Sequence, residues 1–247
     1  MIMGRLVYCW TVDRITIPAL AEMKRQGRKI VGVVAWDTPM AQIADRAGVD
    51  LVSVGDSVGK NLWGHATENE VTVDELLIVC KAVRRGVKRA LLSCDLPATA
   101  SPEAALRFVK EGGADMIKVN GTPDTVRAMV RSGIAVFAEF HGGGGQAADL
   151  VARARALEEA GASVLDFRHS GPEAGAAVTQ AVSIPVIGGL GGGPWLDGRM
   201  RMAHAAIGYS LDMKSESYAN VGRTVLAALK EYAEDVRSGK QIKGQRA

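Results

Sequence analysis

The 247-residue sequence predicts an α/β protein that folds as a single (β/α)8 barrel, a TIM barrel. Two observations support this prediction. Short β-branched runs alternate with longer helical patterns along the chain, which is typical of parallel strands joined by helices. The order helix, glycine, strand also recurs, as in RAGVDLVSV, EGGADMIKV, RSGIAVFAE and EAGASVLDF. This repetition favours a closed barrel over the alternative, a doubly wound open sheet, because the chain has no obvious early GxGxxG phosphate loop.

Eight strands are predicted from short apolar runs, since strands covered by helices on the outside are apolar almost throughout. The runs are KIVGVVA (29–35), VDLVSV (49–54), RALLSC (89–94), ADMIKV (114–119), IAVFAEF (134–140), ASVLDF (162–167), IPVIGG (184–189) and AAIGY (205–209).

Helices are predicted between these strands from their start and stop signals. Thr38 and Pro39 offer an N-cap and a proline in the first turn. Further helices are expected over 71–86, 101–112, 122–133 and 146–162, each ending at or beside a glycine. Residues 1–28 are expected to form a preceding helical segment and 214–238 a closing helix. Because no linker is visible, we expect one domain over 1–247.

Composition limits the partners of the chain. The net charge is +3 and the basic residues are scattered, so we expect no nucleic-acid partner. No window approaches the length of a membrane span, so no membrane partner is expected. The three cysteines lack CxxC spacing, which favours a reduced, cytoplasmic setting. A small molecule is the expected partner.

Polar side chains recur where the predicted strands end, and barrel enzymes gather their chemistry at that rim. Asp56 and Asp95 could share a Mg²⁺ ion, which prefers oxygen ligands; alternatively, each could cap the following helix. Lys118 could neutralise a carboxylate, form a Schiff base or reach solvent. The remaining polar residues at the strand ends are Asp37, Ser57, Asn120, Glu139, His141, Asp166, Arg168 and His169.

Several motifs resemble the ketopantoate hydroxymethyltransferase family, also called 3-methyl-2-oxobutanoate hydroxymethyltransferase. They are VGDSVG with the following WGH, the helix end AVRRG, LLSCDLP, GGADMIKV, IPVIGGLGGGPWLDG and ALKEYAEDVRSG. The resemblance extends from about residue 16 to residue 239. It implies a barrel related to the phosphoenolpyruvate mutase and isocitrate lyase group.

The resemblance also implies a chemistry. Family members use Mg²⁺ to hold a 2-oxo acid, remove a proton beside its carbonyl and add a one-carbon unit from 5,10-methylenetetrahydrofolate. Asp56 and Asp95 match the metal-associated aspartates. Ser57 matches the serine that contacts the substrate carboxylate, and Lys118 matches a lysine of the substrate site. Because relatives assemble into homo-oligomers, self-association is expected.

Three strand ends depart from the family pattern. A glutamate of a K-x-E motif is replaced by Asn120, and a Gly-His pair by Ala138-Glu139. The glutamate generally taken as the base aligns with Arg168, which cannot accept a proton at neutral pH. The loop after the fifth strand is shortened to HGGGGQ (141–146). Arg168 suggests an additional anionic group on the substrate, such as a second carboxylate.

These departures change the expected roles. The proton is expected to be handled by Glu139, His141 or His169. The catalytic candidates are Lys118, Glu139 and His169, the substrate-binding candidates are Ser57, Lys118, Asn120, His141 and Arg168, and the metal ligands are Asp56 and Asp95. The predicted function is hydroxymethyl transfer to 2-oxoisovalerate or a close analogue. The alternatives are a divergent aldolase, lyase or decarboxylase without folate, and a catalytically idle binding barrel.

Overall fold

The computed structural model describes residues 14–211 and 216–244. Within them, eight parallel strands pair in sequence order and close into a barrel, which confirms the predicted fold. The strands are β1 (Ile30–Val34), β2 (Leu51–Val54), β3 (Leu91–Asp95), β4 (Met116–Asn120), β5 (Val136–His141), β6 (Val164–Arg168), β7 (Val186–Gly188) and β8 (Gly198–Met202). The first seven overlap the predicted runs.

The prediction for the eighth strand, AAIGY (205–209), is wrong. The barrel is closed by β8, whose sequence is GRMRM, and residues 203–206 form a short helix. Met200 points inward and is buried while Arg199 is exposed, so β8 keeps the alternation of a strand although its arginines disguise it. Gly208 adopts a left-handed φ of 65°, which is typical of the residue that ends a helix.

The helices alternate with the strands, as predicted. They are α1 (Ile17–Arg25), α2 (Thr38–Arg46), α3 (Val73–Gly86), α4 (Ala105–Lys110), α5 (Pro123–Arg131), α6 (Ala147–Glu159), α7 (Pro172–Ala181), α8 (Ala203–Ala206) and α9 (Val221–Arg237). The cap of α2 is Asp37 rather than Thr38: Oδ1 of Asp37 accepts from the Met40 amide at 2.7 Å. The helix α7 is missing from the prediction because its small residues form no broad apolar stripe.

The two terminal predictions are confirmed in part. Helix α1 lies within the predicted segment 1–28, whose residues 1–13 fall outside the described ranges. Helix α9 begins at Val221, later than the predicted 214, and residues 214–215 are likewise not described. The chain divides into two compact units, one up to Met200 and one from Arg201 onward; a single domain stays a prediction. No helix in the described ranges is both long and apolar enough to cross a bilayer.

The barrel interior is apolar at one end and polar at the other. Leu20 and Met23 of α1 pack against an apolar cluster contributed by the strands. That cluster includes Ile30, Leu51, Leu91, Met116, Phe137, Val164, Ile187 and Met200. Because successive strand side chains alternate between the two faces, the residues two positions further along also point inward. From β2 to β6 these residues are Ser53, Ser93, Lys118, Glu139 and Asp166.

The polar layer is therefore set by the strands. Ser93 donates to Ser53 through a buried hydroxyl–hydroxyl hydrogen bond of 2.8 Å. The β-sheet register pairs Asp95 with Lys118, and Glu139 with Asp166. Four charged side chains that are distant in sequence are thus brought to the carboxyl-terminal half of the barrel, on rigid elements.

Candidate active site

Lys118 lies at the centre of a cluster of carboxylates. Its Nζ is 2.6 Å from Oε2 of Glu139, 3.3 Å from Oδ2 of Asp95 and 3.5 Å from Oδ2 of Asp166. Burial by itself lowers the pKa of Lys118, but the three carboxylates outweigh burial and hold the pKa above its ordinary value. Lys118 is therefore a permanently charged ammonium. Among a Schiff base, contact with solvent and neutralisation of carboxylates, the structure favours the last role.

Glu139 joins two cations and an imidazole. Its Oε2 contacts Lys118, and its Oε1 accepts from Nη1 of Arg168 at 2.9 Å and lies 3.0 Å from Nε2 of His141. Burial alone raises the pKa of Glu139, but Lys118 and Arg168 lower it to about 2. Such a carboxylate stays ionised near neutral pH and is a weak proton acceptor. Glu139 is suited to holding its neighbours in place.

Asp95 and Asp56 lie in the same electrostatic environment. Asp95 ends β3 and is 6% exposed. Burial raises its pKa to about 7; Lys118 opposes this rise, and the Asp56 carboxylate adds to it. Burial also raises the pKa of Asp56, which follows β2. Oδ1 of Asp95 is buried without a hydrogen-bond partner in the described part of the chain. The neighbouring cations therefore do not fully offset the negative charge of these two carboxylates.

Asp166 is the member of this cluster to which the sequence assigned no role. It is 4% exposed, burial raises its pKa, and its Oδ1 has no hydrogen-bond partner among the described residues. The sequence feature that could have indicated Asp166 is its position two residues before Arg168, on the same face of β6.

We call Asp56, Asp95, Lys118, Glu139, Asp166 and Arg168 the polar cluster. When all six side chains are ionised, the cluster carries two negative charges in excess.

The donor set fits a divalent cation at Asp56 and Asp95. Among the residues that the structure describes, no three Asp, Glu, His or Cys side chains are grouped so as to hold a metal ion alone. Mg²⁺ does not need such a group, because it keeps several waters and is commonly bound through one or two carboxylates. The unpartnered Oδ1 of Asp95 and the excess negative charge are what such an ion would satisfy.

The other predicted substrate residues lie around this cluster. Ser57 is half-buried directly after Asp56. Asn120 ends β4, is exposed and lies opposite Glu139 in the β4–β5 register. His141 is 45% exposed at the end of β5, and its ring lies 6.0 Å from that of His169.

His169 has a left-handed backbone, with φ of 51°. Its amide donates to the carbonyl of Leu190 at 2.7 Å. A Cβ at Gly191 would lie 2.8 Å from Cα of His169, so a glycine is needed where the two loops meet. The run GGLGGG thus serves close packing of the chain against itself at this point.

Comparison with known proteins agrees with the resemblance. Residues 14–241 match the family model for ketopantoate hydroxymethyltransferase. A 3-methyl-2-oxobutanoate hydroxymethyltransferase from Cyanothece sp. is 37% identical, and the match covers 91% of this chain and 97% of that protein. The protein of the same name from Moorella thermoacetica is 36% identical over 92% of this chain and 95% of its own length.

Solved structures share the fold at lower identity. A 2,3-dimethylmalate lyase, a member of the PEP mutase/isocitrate lyase superfamily, superposes with a TM-score of 0.63 at 18% identity and covers 94% of this chain and 91% of its own. A phosphonopyruvate hydrolase complexed with oxalate and Mg²⁺ gives a TM-score of 0.62 at 16% identity, covering 91% and 88%. These likenesses concern the barrel alone.

Proposed function

Because this chain belongs to the ketopantoate hydroxymethyltransferase family, we propose that it transfers a hydroxymethyl group from 5,10-methylenetetrahydrofolate to 2-oxoisovalerate or a close analogue, with Mg²⁺ as cofactor. The observation that carries this proposal is the meeting of Asp56, Asp95 and Lys118 at the carboxyl ends of β2, β3 and β4. These are the residues through which the family motifs imply metal and substrate binding.

Asp56 and Asp95 are the residues that would hold the metal. When bound, Mg²⁺ would supply a Lewis acid that polarises the keto oxygen and offsets the charge developing on it. Burial and the nearby Asp56 carboxylate raise the pKa of Asp95, which indicates that keeping both side chains ionised is costly without a cation. A divalent ion would remove this cost.

Ser57 and Lys118 are proposed to orient the 2-oxo acid. Ser57 is half-buried directly after Asp56 at the rim, and we propose that its hydroxyl donates to the substrate carboxylate, as the family motifs imply. Lys118 adds a fixed positive charge beneath the site, held in position by Asp95, Glu139 and Asp166. A fixed charge of this kind favours an anionic substrate and needs no reorganisation during the reaction.

A second candidate function follows from Arg168. An arginine at the position of the family's glutamate suggests a substrate with a second carboxylate, and hence a divergent aldolase, lyase or decarboxylase that uses no folate. In the structure Arg168 donates to Glu139 at 2.9 Å, so a second carboxylate would compete with that pair. This pairing makes the dicarboxylate reading the less favoured of the two.

The test is product formation by the purified full chain. With Mg²⁺, 2-oxoisovalerate and 5,10-methylenetetrahydrofolate, we expect the hydroxymethylated 2-oxo acid by mass spectrometry, and its loss in Asp95→Asn. Asp124→Asn, the same chemical change at a 95% exposed position, is the matched control. Product from a dicarboxylic 2-oxo acid without folate would support the second function. Mg²⁺ binding without turnover of any 2-oxo acid would support an idle barrel.

A further inference from the structure

The end of β5 carries a carboxylate–histidine pair that the family motifs do not contain. We propose that His141 takes the C3 proton of the 2-oxo acid and that Glu139 is its positioning residue. The inference rests on the proposed function, since it assigns the proton acceptor of that reaction. It concerns the proton step alone.

The geometry of the pair comes from the strand. Glu139 and His141 are two residues apart on β5, so their side chains leave the same face. Oε1 of Glu139 lies 3.0 Å from Nε2 of His141. Glu139 is 11% exposed and His141 45% exposed, which places the carboxylate below and the imidazole where a bound small molecule can reach it.

Glu139 is itself fixed from two sides. Nζ of Lys118 lies 2.6 Å from its Oε2, and Nη1 of Arg168 lies 2.9 Å from its Oε1. Both contacts keep Glu139 ionised and immobile. An ionised carboxylate only accepts hydrogen bonds, so the imidazole must donate to it through Nε2. Nδ1 of His141 then carries the free lone pair.

The proposed step follows from that tautomer. The C3–H bond of the 2-oxo acid breaks, its electron pair moves toward the C2 carbonyl to give the enolate, and the proton forms a bond with Nδ1 of His141. The imidazolium that results lies beside the Glu139 carboxylate, which stabilises its positive charge. The proton later leaves to solvent, to which His141 is open.

Other groups at the rim are less suited to this role. Arg168 is a permanent cation. Both oxygens of Glu139 are occupied by cations or by His141. The unpartnered Oδ1 of Asp166 is buried, so a substrate carbon has no access to it in this structure. Arg168 stands at the position of the expected base and anchors Glu139. Glu139 in turn orients His141, the proposed proton acceptor.

The first test follows exchange of the C3 proton of 2-oxoisovalerate for deuterium by NMR, with Mg²⁺ and without folate. We expect His141→Ala to lose at least about 100-fold in exchange rate and added imidazole to restore part of it. Glu139→Gln should lose activity that imidazole does not restore. His204→Asn is the control, because His204 is not among the residues of the site.

The outcomes separate the two proposals. No exchange by the wild type overturns the proposed function. Exchange by the wild type together with full exchange by His141→Ala, or a loss that imidazole does not restore, overturns the role of His141. Loss in His169→Asn alone would move the role to that histidine.

A second readout needs neither metal nor substrate. Long-range ¹H–¹⁵N spectra of the wild type should show His141 as the Nε2-protonated tautomer, and Glu139→Gln should weaken this preference. An Nδ1-protonated His141 in the wild type would overturn the proposal, because the nitrogen assigned to accept the proton would already carry one.

Discussion

Arg168 donates from Nη1 to Oε1 of Glu139 over 2.9 Å and so connects the ends of β6 and β5. By the family resemblance, a glutamate is expected at the position of Arg168 on β6 and a histidine at the position of Glu139 on β5. The ion pair therefore couples the two strand ends electrostatically. A glutamate and a neutral histidine would carry one negative charge, whereas Arg168 and Glu139 together carry none, so this side of the barrel is more cationic than the resemblance implies and its groups available for proton transfer differ.

This coupling predicts non-additive effects of mutation. Arg168→Met and Glu139→Gln should each destabilise the protein, and the double variant should lose less than the sum, with a coupling energy of about 1 kcal/mol in urea unfolding. The same cycle between Glu139→Gln and Arg127→Met, whose guanidinium pairs with Asp124 instead, is the control and should be additive. Additive effects of Arg168→Met and Glu139→Gln would show that the Arg168–Glu139 ion pair does not contribute to stability.

The low pKa of Glu139 predicts a pH dependence of stability. Its pKa of about 2 in the folded protein lies below its ordinary value of 4.5. The ionised form therefore stabilises the fold above about pH 4.5, and this contribution is lost as the pH falls towards 2. In urea unfolding between pH 3 and pH 6, the stability difference between wild type and Glu139→Gln should shrink as the pH falls. A constant difference would show that Glu139 titrates normally.

Removal of Lys118 should make the polar cluster depend on a divalent ion. Lys118→Met leaves Asp95, Glu139 and Asp166 without their shared cation, so we expect a loss of about 3 kcal/mol or more. Mg²⁺ should raise the melting temperature of this variant more than that of the wild type. Lys110→Met, at an exposed position of α4, should behave like the wild type. If Mg²⁺ raised the melting temperatures of Lys118→Met and Lys110→Met equally, the polar cluster would not carry an excess of negative charge that Mg²⁺ offsets.

The contact between the loops can be tested through two glycines. Gly191 has φ of 67° and no room for a Cβ beside His169, whereas Gly143 has φ of 49° and nothing within 4 Å of its Cβ position. Gly143→Ala should cost about 1 kcal/mol from backbone strain alone, and Gly191→Ala clearly more. If Gly143→Ala and Gly191→Ala lowered the stability equally in thermal unfolding, the loops of Gly191 and His169 would move apart at little cost.

The fold could be predicted from the sequence because its signals are local. Glycine stops and β-branched runs mark seven strands correctly, and Asp95 and Lys118 then fall at neighbouring strand ends by topology alone. The strand β8 could not be recognised, because Arg199 and Arg201 obscure an alternation that only the closed barrel makes favourable.

The pairing within the site could not be predicted in the same way. That Glu139 contacts Lys118, Arg168 and His141 depends on side-chain directions and on the β4–β5–β6 register, which no local pattern contains. The burial of Asp166 is also a tertiary property. Aspartate at a strand end ordinarily indicates a turn or a cap, as Asp37 in fact shows.

If Asp56 and Asp95 hold the metal with which this barrel removes a proton from a 2-oxo acid, that proton removal depends on both the ion and the two aspartates. The most direct measurement is deuterium exchange at C3 of 2-oxoisovalerate, followed by NMR with Mg²⁺ and without folate. We predict exchange by the wild type that disappears with EDTA and in Asp56→Asn, and persists in Asp124→Asn. Exchange that is unaffected by EDTA and by Asp56→Asn, or no exchange by folded protein with Mg²⁺ bound, would contradict the claim.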